Sequence, residues 1–564
     1  MNYLILIFLT LLASCGSKEG GTSSAGTAAP EVLIYGSPPT TGTGTDPLAQ
    51  YQWHLNNTGQ FTFASSGGTA GKDLNLPAGM TETGSGITVL VSDDSVEHFH
   101  DDLYDNWSLS SSLNFLNASY AGSPAPGLRS DDTHGTSVAG IIGAVKNNGT
   151  GGYGIAPEVT LAGANTLSQA VSQVNSIFIA QANTNAHIVN MSWGTSQDVY
   201  SPIISGYKDQ IESATTTLRS GRGTIFIKSA GNDYEIYKDG KYRVGNSNLD
   251  GDNTLPQIIS VAALDADFFS AYYSSPGSNI WISAPGGING TSEPAILTTD
   301  RLGCNYGYAK STVSNTFNRD ANAVNNDDCK YTSLFNGTSS AAPMVSGAVA
   351  LLLEKNPNLT WRQVKAILAQ SAASITSPSS NINTPDVSSS ETMPSGLAWE
   401  YAWQTNNAGY RFQNWYGFGA VDITAMLNLA STPPALGTLK TYSETKSIAQ
   451  SIPDNSSTGT SYTFTANQTF TLEEIEFEFT MSHPNLEEIM IEVISPHGGT
   501  PMKSILLNAY SGLRGETSMS NQRFITNAFY GESSTGTWTV KIYDAKAGNG
   551  SGTVSSVKIN MRGH

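Results

Sequence analysis

The sequence predicts an α/β domain with a mainly parallel sheet, followed by an all-β antiparallel sandwich. Between Asp46 and about Asn428, short apolar strands alternate with candidate helices, the order that builds parallel sheets. Past the turn-rich stretch at Pro433-Pro434, the pattern changes to strands without intervening helices. In the first region the strands are Ile87 to Val91, Ile188 to Met191, Ile225 to Ile227 and Ile258 to Val261. In the second, acidic and apolar residues interleave from Leu472 to Phe479, the period-two pattern of a half-buried strand. Further strands are expected at Ile489 to Ile494, Thr537 to Tyr543 and Val554 to Met561, and no internal repeat is visible.

The composition of the 564 residues narrows the function classes. Only 13% are charged and 56 are glycine, which favours loops over long charged helices and excludes a coiled coil. The 39% hydrophobic content is too high for a wholly disordered chain. A formal charge of −18 opposes binding to nucleic acid and favours cationic partners and metal ions.

The apolar run Tyr3 to Ala13 falls short of the roughly 20 residues needed to span a bilayer and has the length of a signal-peptide core. It ends in Leu12-Ala13-Ser14-Cys15, which resembles the lipobox of bacterial lipoproteins, although basic residues ahead of the run are missing. That resemblance implies export, acylation of Cys15 and anchoring at the outer membrane or cell surface; a plain secretory signal is the alternative. The expected organisation is a signal peptide over 1–14, a flexible Gly/Ser/Thr-rich tether over 15–45, the α/β domain over 46–432 and the sandwich over 433–564.

Three segments carry the chemistry. Ile87-Thr-Val-Leu-Val-Ser-Asp93-Asp94 is a strand that delivers a carboxylate at its C-terminal end, where open parallel sheets place their crevices. Asp131-Asp-Thr-His134-Gly-Thr-Ser-Val-Ala-Gly140 opens a helix with a histidine. Phe335-Asn-Gly-Thr-Ser339-Ser-Ala-Ala-Pro343 puts a serine at a helix start, beside unpaired backbone N–H groups and the positive end of the helix dipole. Alone, each has an ordinary explanation as a turn or a cap. Together, in the order Asp, His, Ser, they match one of the convergent hydrolase triads.

These segments resemble those of subtilisin-like serine proteases. The resemblance extends to Ile188-Val-Asn-Met-Ser-Trp-Gly194, similar to the family's substrate-pairing strand, and to Ser229-Ala-Gly-Asn232, similar to its oxyanion-hole loop. It implies that Ser339 is the nucleophile, His134 the general base and then acid, and Asp93 the group that orients the imidazole. Asn232 and the Ser339 N–H would hold the oxyanion, and the backbone of Ser192, Trp193 and Gly194 would pair with a peptide or protein substrate. An acid limb in the rate profile is expected from an imidazole of unperturbed pKa about 6.5.

The Asp93-Asp94 doublet resembles the kexin and proprotein-convertase branch, with Ser95 in place of the expected glycine. The C-terminal region resembles that branch's jelly-roll P domain at Ile489 to Pro496, Gly536-Thr-Trp538 and Val554 to Gly563. By motif position, Asp94 and Asp131 would contact a basic residue second before the cut, and Asp250 would sit at the base of the primary pocket. A second primary-pocket acid is not clearly retained, because Thr195-Ser-Gln197-Asp198 places Asp198 one residue away. Cleavage after Lys or Arg, often dibasic, is expected, with broad specificity as the alternative.

The resemblance also implies a structural Ca2+ held by Asp46, Asp102, the carbonyls of Val145, Thr150 and Gly152, and the Asn148 amide oxygen, a hard-oxygen set. Cys304 and Cys329, 25 positions apart, are expected to form a disulfide worth about 3 kcal/mol in the loop-entropy model. Only 30 low-complexity residues separate Cys15 from Asp46, where most secreted members carry a folded pro-domain. The expectation is a monomer that relies on a separate folding chaperone or inhibitor; refolding to full activity with calcium alone would contradict it. The rival from another class is a catalytically idle adhesive or carbohydrate-binding surface protein.

Overall fold

The computed structural model describes residues 39, 42–115, 131–168, 174–204, 206–234, 236–238, 241–309, 317, 326, 328–378, 380 and 393–564. The expected signal peptide, Cys15 and most of the expected tether lie outside the described residues.

Six strands form one parallel sheet in the order Thr160–Ala164, Thr88–Ser92, Ile188–Met191, Ile225–Ser229, Ile258–Leu264 and Ile280–Pro285. The four strands read from the sequence all lie in it, with Val91 opposite Asn190 and Ile227 opposite Ile259. Nearly every strand residue is buried, as helices on both faces require. The helices His134–Gly143 and Thr338–Lys355 pack on each other, and the second also lies against the central strands. A small residue also lets the first helix approach the strand Ile296–Thr299: a Cβ on Gly140 would meet Thr299 Oγ1 at 2.1 Å.

The C-terminal region is a two-sheet antiparallel sandwich. One sheet runs Lys440–Lys446, Gly552–Gly563, Leu472–Ser482 and Ser518–Thr526, with Gln450–Ile452 beside Gly552–Gly563. The other runs Thr460–Ala466, Gly536–Asp544, Ile489–Ile494 and Lys503–Leu507. The strand at Leu472–Ser482 departs from the half-buried expectation, because Glu473, Glu474 and Glu476 are buried as well. Each meets an arginine: Arg362 at Glu473, Arg562 at Glu474, Arg523 at Glu476.

The two regions share one continuous apolar core running from Trp53 through Trp281 to Met561. Polar contacts lock the seam: the Ile525 N–H donates to Asn248 Oδ1 (3.0 Å), Ser278 Oγ to the Ile525 carbonyl (2.7 Å) and the Leu513 N–H to the Asp198 carbonyl (2.6 Å). The Cys304–Cys329 disulfide is present, with Cα atoms 5.0 Å apart. Among the described residues, no helix is long and apolar enough to cross a membrane.

Candidate active site

The structure pairs His134 with Asp93 at the C-terminal end of a strand of the parallel sheet and bonds the Ser339 hydroxyl to the Ser192 carbonyl. Asp93 follows the strand Thr88–Ser92 and is fully buried; His134 and Ser339 open their helices and are nearly so. His134 Nδ1 lies 2.8 Å from Asp93 Oδ1, and the Asp94 N–H donates to the same oxygen at 2.8 Å. The imidazole also meets the edge of Phe335, centroids 5.2 Å apart.

The Ser339 hydroxyl donates to the Ser192 carbonyl at 3.0 Å, and Ser192 Oγ donates back to the Ser339 carbonyl at 2.9 Å. Sequence explains the second bond. Pro343, four residues on, has no N–H to give the Ser339 carbonyl, so an outside hydroxyl satisfies it. The helix Thr338–Lys355 is thereby stitched to the segment Ser192–Gly194. Trp193 turns inward, donating Nε1–H to the Ser92 carbonyl (2.9 Å) and packing on Phe178, so only its backbone is available to a substrate.

Asn232 Oδ1 accepts from the Thr338 N–H (2.9 Å) and the Thr338 hydroxyl (2.8 Å). Gly337 adopts φ +101°, and a Cβ there would stand 3.1 Å from Asn232 Nδ2 and 3.5 Å from the Ser339 nitrogen. Both nitrogens therefore border the same space above Gly337. Thr338, which holds the amide in place, was missed in the sequence; its position between Gly337 and Ser339 is the signal that could have revealed it.

The acids expected to receive a basic substrate are differently engaged. Asp94 accepts four backbone N–H groups, from Ser95, Thr133, His134 and Gly135, at 2.7 to 2.9 Å. It closes the N-terminus of the histidine helix, where unpaired donors and the helix dipole attract a carboxylate. Burial, with the charges of Asp93 and Asp132 nearby, pushes its carboxyl up to about 7. Asp131 is exposed. Asp250 is buried against Lys228, with Nζ and Oδ2 2.6 Å apart. Neither Lys228 nor the buried Gln197, whose Nε2 donates to the Ala230 carbonyl (2.5 Å), was legible as a site residue. Asp198 lends its carbonyl to the sandwich.

The expected calcium residues also converge. Asp46 accepts the N–H groups of Asn147 (2.8 Å) and Asn148 (3.1 Å), and Asn148 Nδ2 donates to Asp102 Oδ1 (2.7 Å). Burial pushes the Asp102 carboxyl up to about 8. Within the loop, the carbonyls of Asn147 and Gly151 accept from Gly44 and Leu48, whereas among the described residues those of Val145, Thr150 and Gly152 accept no hydrogen bond. No three His, Cys, Asp or Glu side chains converge on a metal position among the described residues. The cradle consists of two carboxylates and backbone and amide oxygens, which suits a hard cation.

A parallel α/β sheet carrying an Asp–His pair and a helix-opening serine defines a subtilisin-type hydrolase fold. The Subtilase family model matches residues 84–419, and the Proprotein convertase P-domain model matches residues 472–561. The chain belongs to the subtilase family and is a subtilisin-like serine endopeptidase with a C-terminal P domain. It is 34% identical over 545 residues to the Aeromonas extracellular serine protease of Aeromonas sobria, covering 90% of this chain and 85% of that protein. Furin of Rattus norvegicus is 26% identical over 531 residues, covering 92% of this chain and 58% of furin. The crystal structure of the Aeromonas sobria protease with its chaperone superposes with a TM-score of 0.83 at 31% identity, covering 95% of this chain and 99% of that one.

Proposed function

We propose that the chain is an exported, calcium-stabilised endopeptidase in which Ser339, His134 and Asp93 act as a triad. The observation that carries this is the 2.8 Å contact between His134 Nδ1 and Asp93 Oδ1, both buried, beside a serine at the start of a buried helix. The contact holds the imidazole with Nε2 directed away from Asp93, ready to take a proton. Ser339 Oγ would leave the Ser192 carbonyl and pass its proton to His134 as it attacks; free enzymes often hold such bonds in looser arrangements. The oxyanion would form between Asn232 Nδ2 and the Ser339 N–H, and the protonated imidazole would then supply the leaving amine.

Asp46, Asp102, Asn148 and the carbonyls of Val145, Thr150 and Gly152 would hold the calcium ion. Asn148 would have to reverse its amide, giving up both the bond from Nδ2 to Asp102 and the one its Oδ1 accepts from the Thr150 N–H (3.1 Å), to offer Oδ1 to the ion. When bound, the ion supplies positive charge to two buried carboxylates and takes no part in peptide hydrolysis. Dibasic cleavage through Asp94, Asp131 and Asp250 has less support, because two of the three acids are already engaged within the chain.

The extracellular nature of the Aeromonas sobria relative supports export, and its structure with a chaperone supports a separate folding partner. Lipid anchoring at Cys15 rests on the Leu12-to-Cys15 segment; a Cys15→Ser variant that still fractionates with membranes would contradict it. The endopeptidase itself is tested by casein hydrolysis. Wild type should release peptides and Ser339→Ala should lose that activity by 10³-fold or more, about the loss seen when a nucleophile of this kind is removed. Equal hydrolysis by both would refute the assignment.

A further inference from the structure

Beneath the segment Ser192–Gly194 lies a buried charge pair that the chemistry above does not use. Lys228 Nζ and Asp250 Oδ2 are 2.6 Å apart, with side chains 0% and 2% exposed. The pair is held from several sides. The Thr195 N–H donates to Asp250 Oδ2 (3.2 Å), the Asp252 N–H donates to Oδ1 (3.1 Å), and the ammonium stands 5.3 Å from the centre of the Trp193 ring. A Cβ on Gly194 would lie 2.8 Å from Asp250 Oδ2 and 3.2 Å from Lys228 Nζ, so both charges sit against the backbone of Gly194.

That position borders the reacting atoms. Gly194 is two residues from Ser192, whose carbonyl accepts the Ser339 hydroxyl, and Lys228 is four residues ahead of Asn232. The two segments are joined as facing walls: Ser229 Oγ donates to the Trp193 carbonyl (3.2 Å) and Gln197 Nε2 to the Ala230 carbonyl (2.5 Å). By motif position Asp250 would stand at the base of the primary pocket, so a side chain entering that pocket would approach the Lys228–Asp250 pair.

Resting on the endopeptidase reading, we propose that Lys228 takes the place of a basic substrate side chain at Asp250. It thereby makes this pocket select uncharged residues, against lysine and arginine, immediately before the cut. A carboxylate already touching an ammonium offers little net attraction to a second cation, and in a buried site salt does not screen the repulsion between the two. Displacing Lys228 would leave a buried charge unpaired. Asp252 does not restore the balance, since burial and the neighbouring Asp250 push its carboxyl up to about 7. An uncharged side chain meets none of these costs.

The test is a peptide-library profile of the full-length protein, with rates expressed per serine titrated by a fluorophosphonate. Wild type should favour uncharged residues before the cut over Lys and Arg by roughly 10-fold or more in kcat/KM. Lys228→Met, which leaves Asp250 without its counter-ion, should raise kcat/KM for Lys relative to Leu by about 10²-fold. The double variant Lys228→Met/Asp250→Asn removes both charges and should return to the uncharged preference; it also serves if the single variant does not fold. A wild type or double variant that prefers Lys or Arg would overturn the proposal. Wild type whose serine takes up no fluorophosphonate would overturn the endopeptidase reading, and this inference with it.

Discussion

Asn232 uses the two ends of one amide differently. Its oxygen is fixed by Thr338 through two hydrogen bonds, which directs its nitrogen toward the space above Gly337 that the Ser339 nitrogen also borders. A donor fixed in advance stabilises charge that develops only during reaction, so its effect should fall on turnover. Asn232→Ala should lower kcat by about 10²- to 10³-fold with KM little changed, as full kinetics on a peptide substrate would read out. Unchanged kcat would remove Asn232 from the oxyanion site. Asp93 and Asn232 could be singled out in the sequence because each follows an apolar run, and His134 and Ser339 because each stands at the start of a helix of small residues. Lys228 was not legible: on a strand, a lysine after Ile225 to Ile227 reads as a solvated end, and only the fold brings it to Asp250. The four N–H groups that engage Asp94 were hidden for the same reason, since three belong to residues about 40 positions away.

The strands were read from runs of Ile and Val, and, apart from Ile87 one residue ahead of the strand Thr88–Ser92, those runs fall within the observed elements because a sheet covered on both faces needs apolar residues throughout. Periodicity misjudged the strand at Leu472–Ser482. Alternation of acid and apolar residues normally marks one wet face, but here arginines from other elements cover the acids. The loop after the histidine helix shows element-scale logic of a different kind. At Gly151, φ +50°, a Cβ would lie 2.1 Å from Asp102 Oδ2, so the backbone must approach the carboxylate bare. With calcium at about 100 times its dissociation constant, linkage stabilises by about 2.7 kcal/mol. Spread over the unfolding entropy of so large a chain, that loss should lower the melting temperature by roughly 2 to 3 °C on chelation and speed autolysis, as calorimetry and gel analysis would report. A melting temperature indifferent to chelator would argue against the calcium cradle.

The P domain and the peptidase domain share one apolar core, and the Asn248, Ser278 and Asp198 contacts run from the pocket region of one into the sandwich of the other. The sandwich therefore buttresses the loops next to Gln197 and Asp250, the latter paired with Lys228 on the strand Ile225–Ser229. The order of the two domains was legible from the change in strand spacing near Pro433. Their shared core was not, because apolar residues that meet across a domain seam leave no local period in the chain. All of this scaffolding converges on one serine, so the most direct measurement is peptide mapping by mass spectrometry after fluorophosphonate treatment of the folded protein. The expected result is one adduct per chain, on the peptide containing Ser339, formed far more slowly in a His134→Ala variant. An adduct on another residue, or undiminished labelling in the His134→Ala variant, would contradict activation of Ser339 by His134.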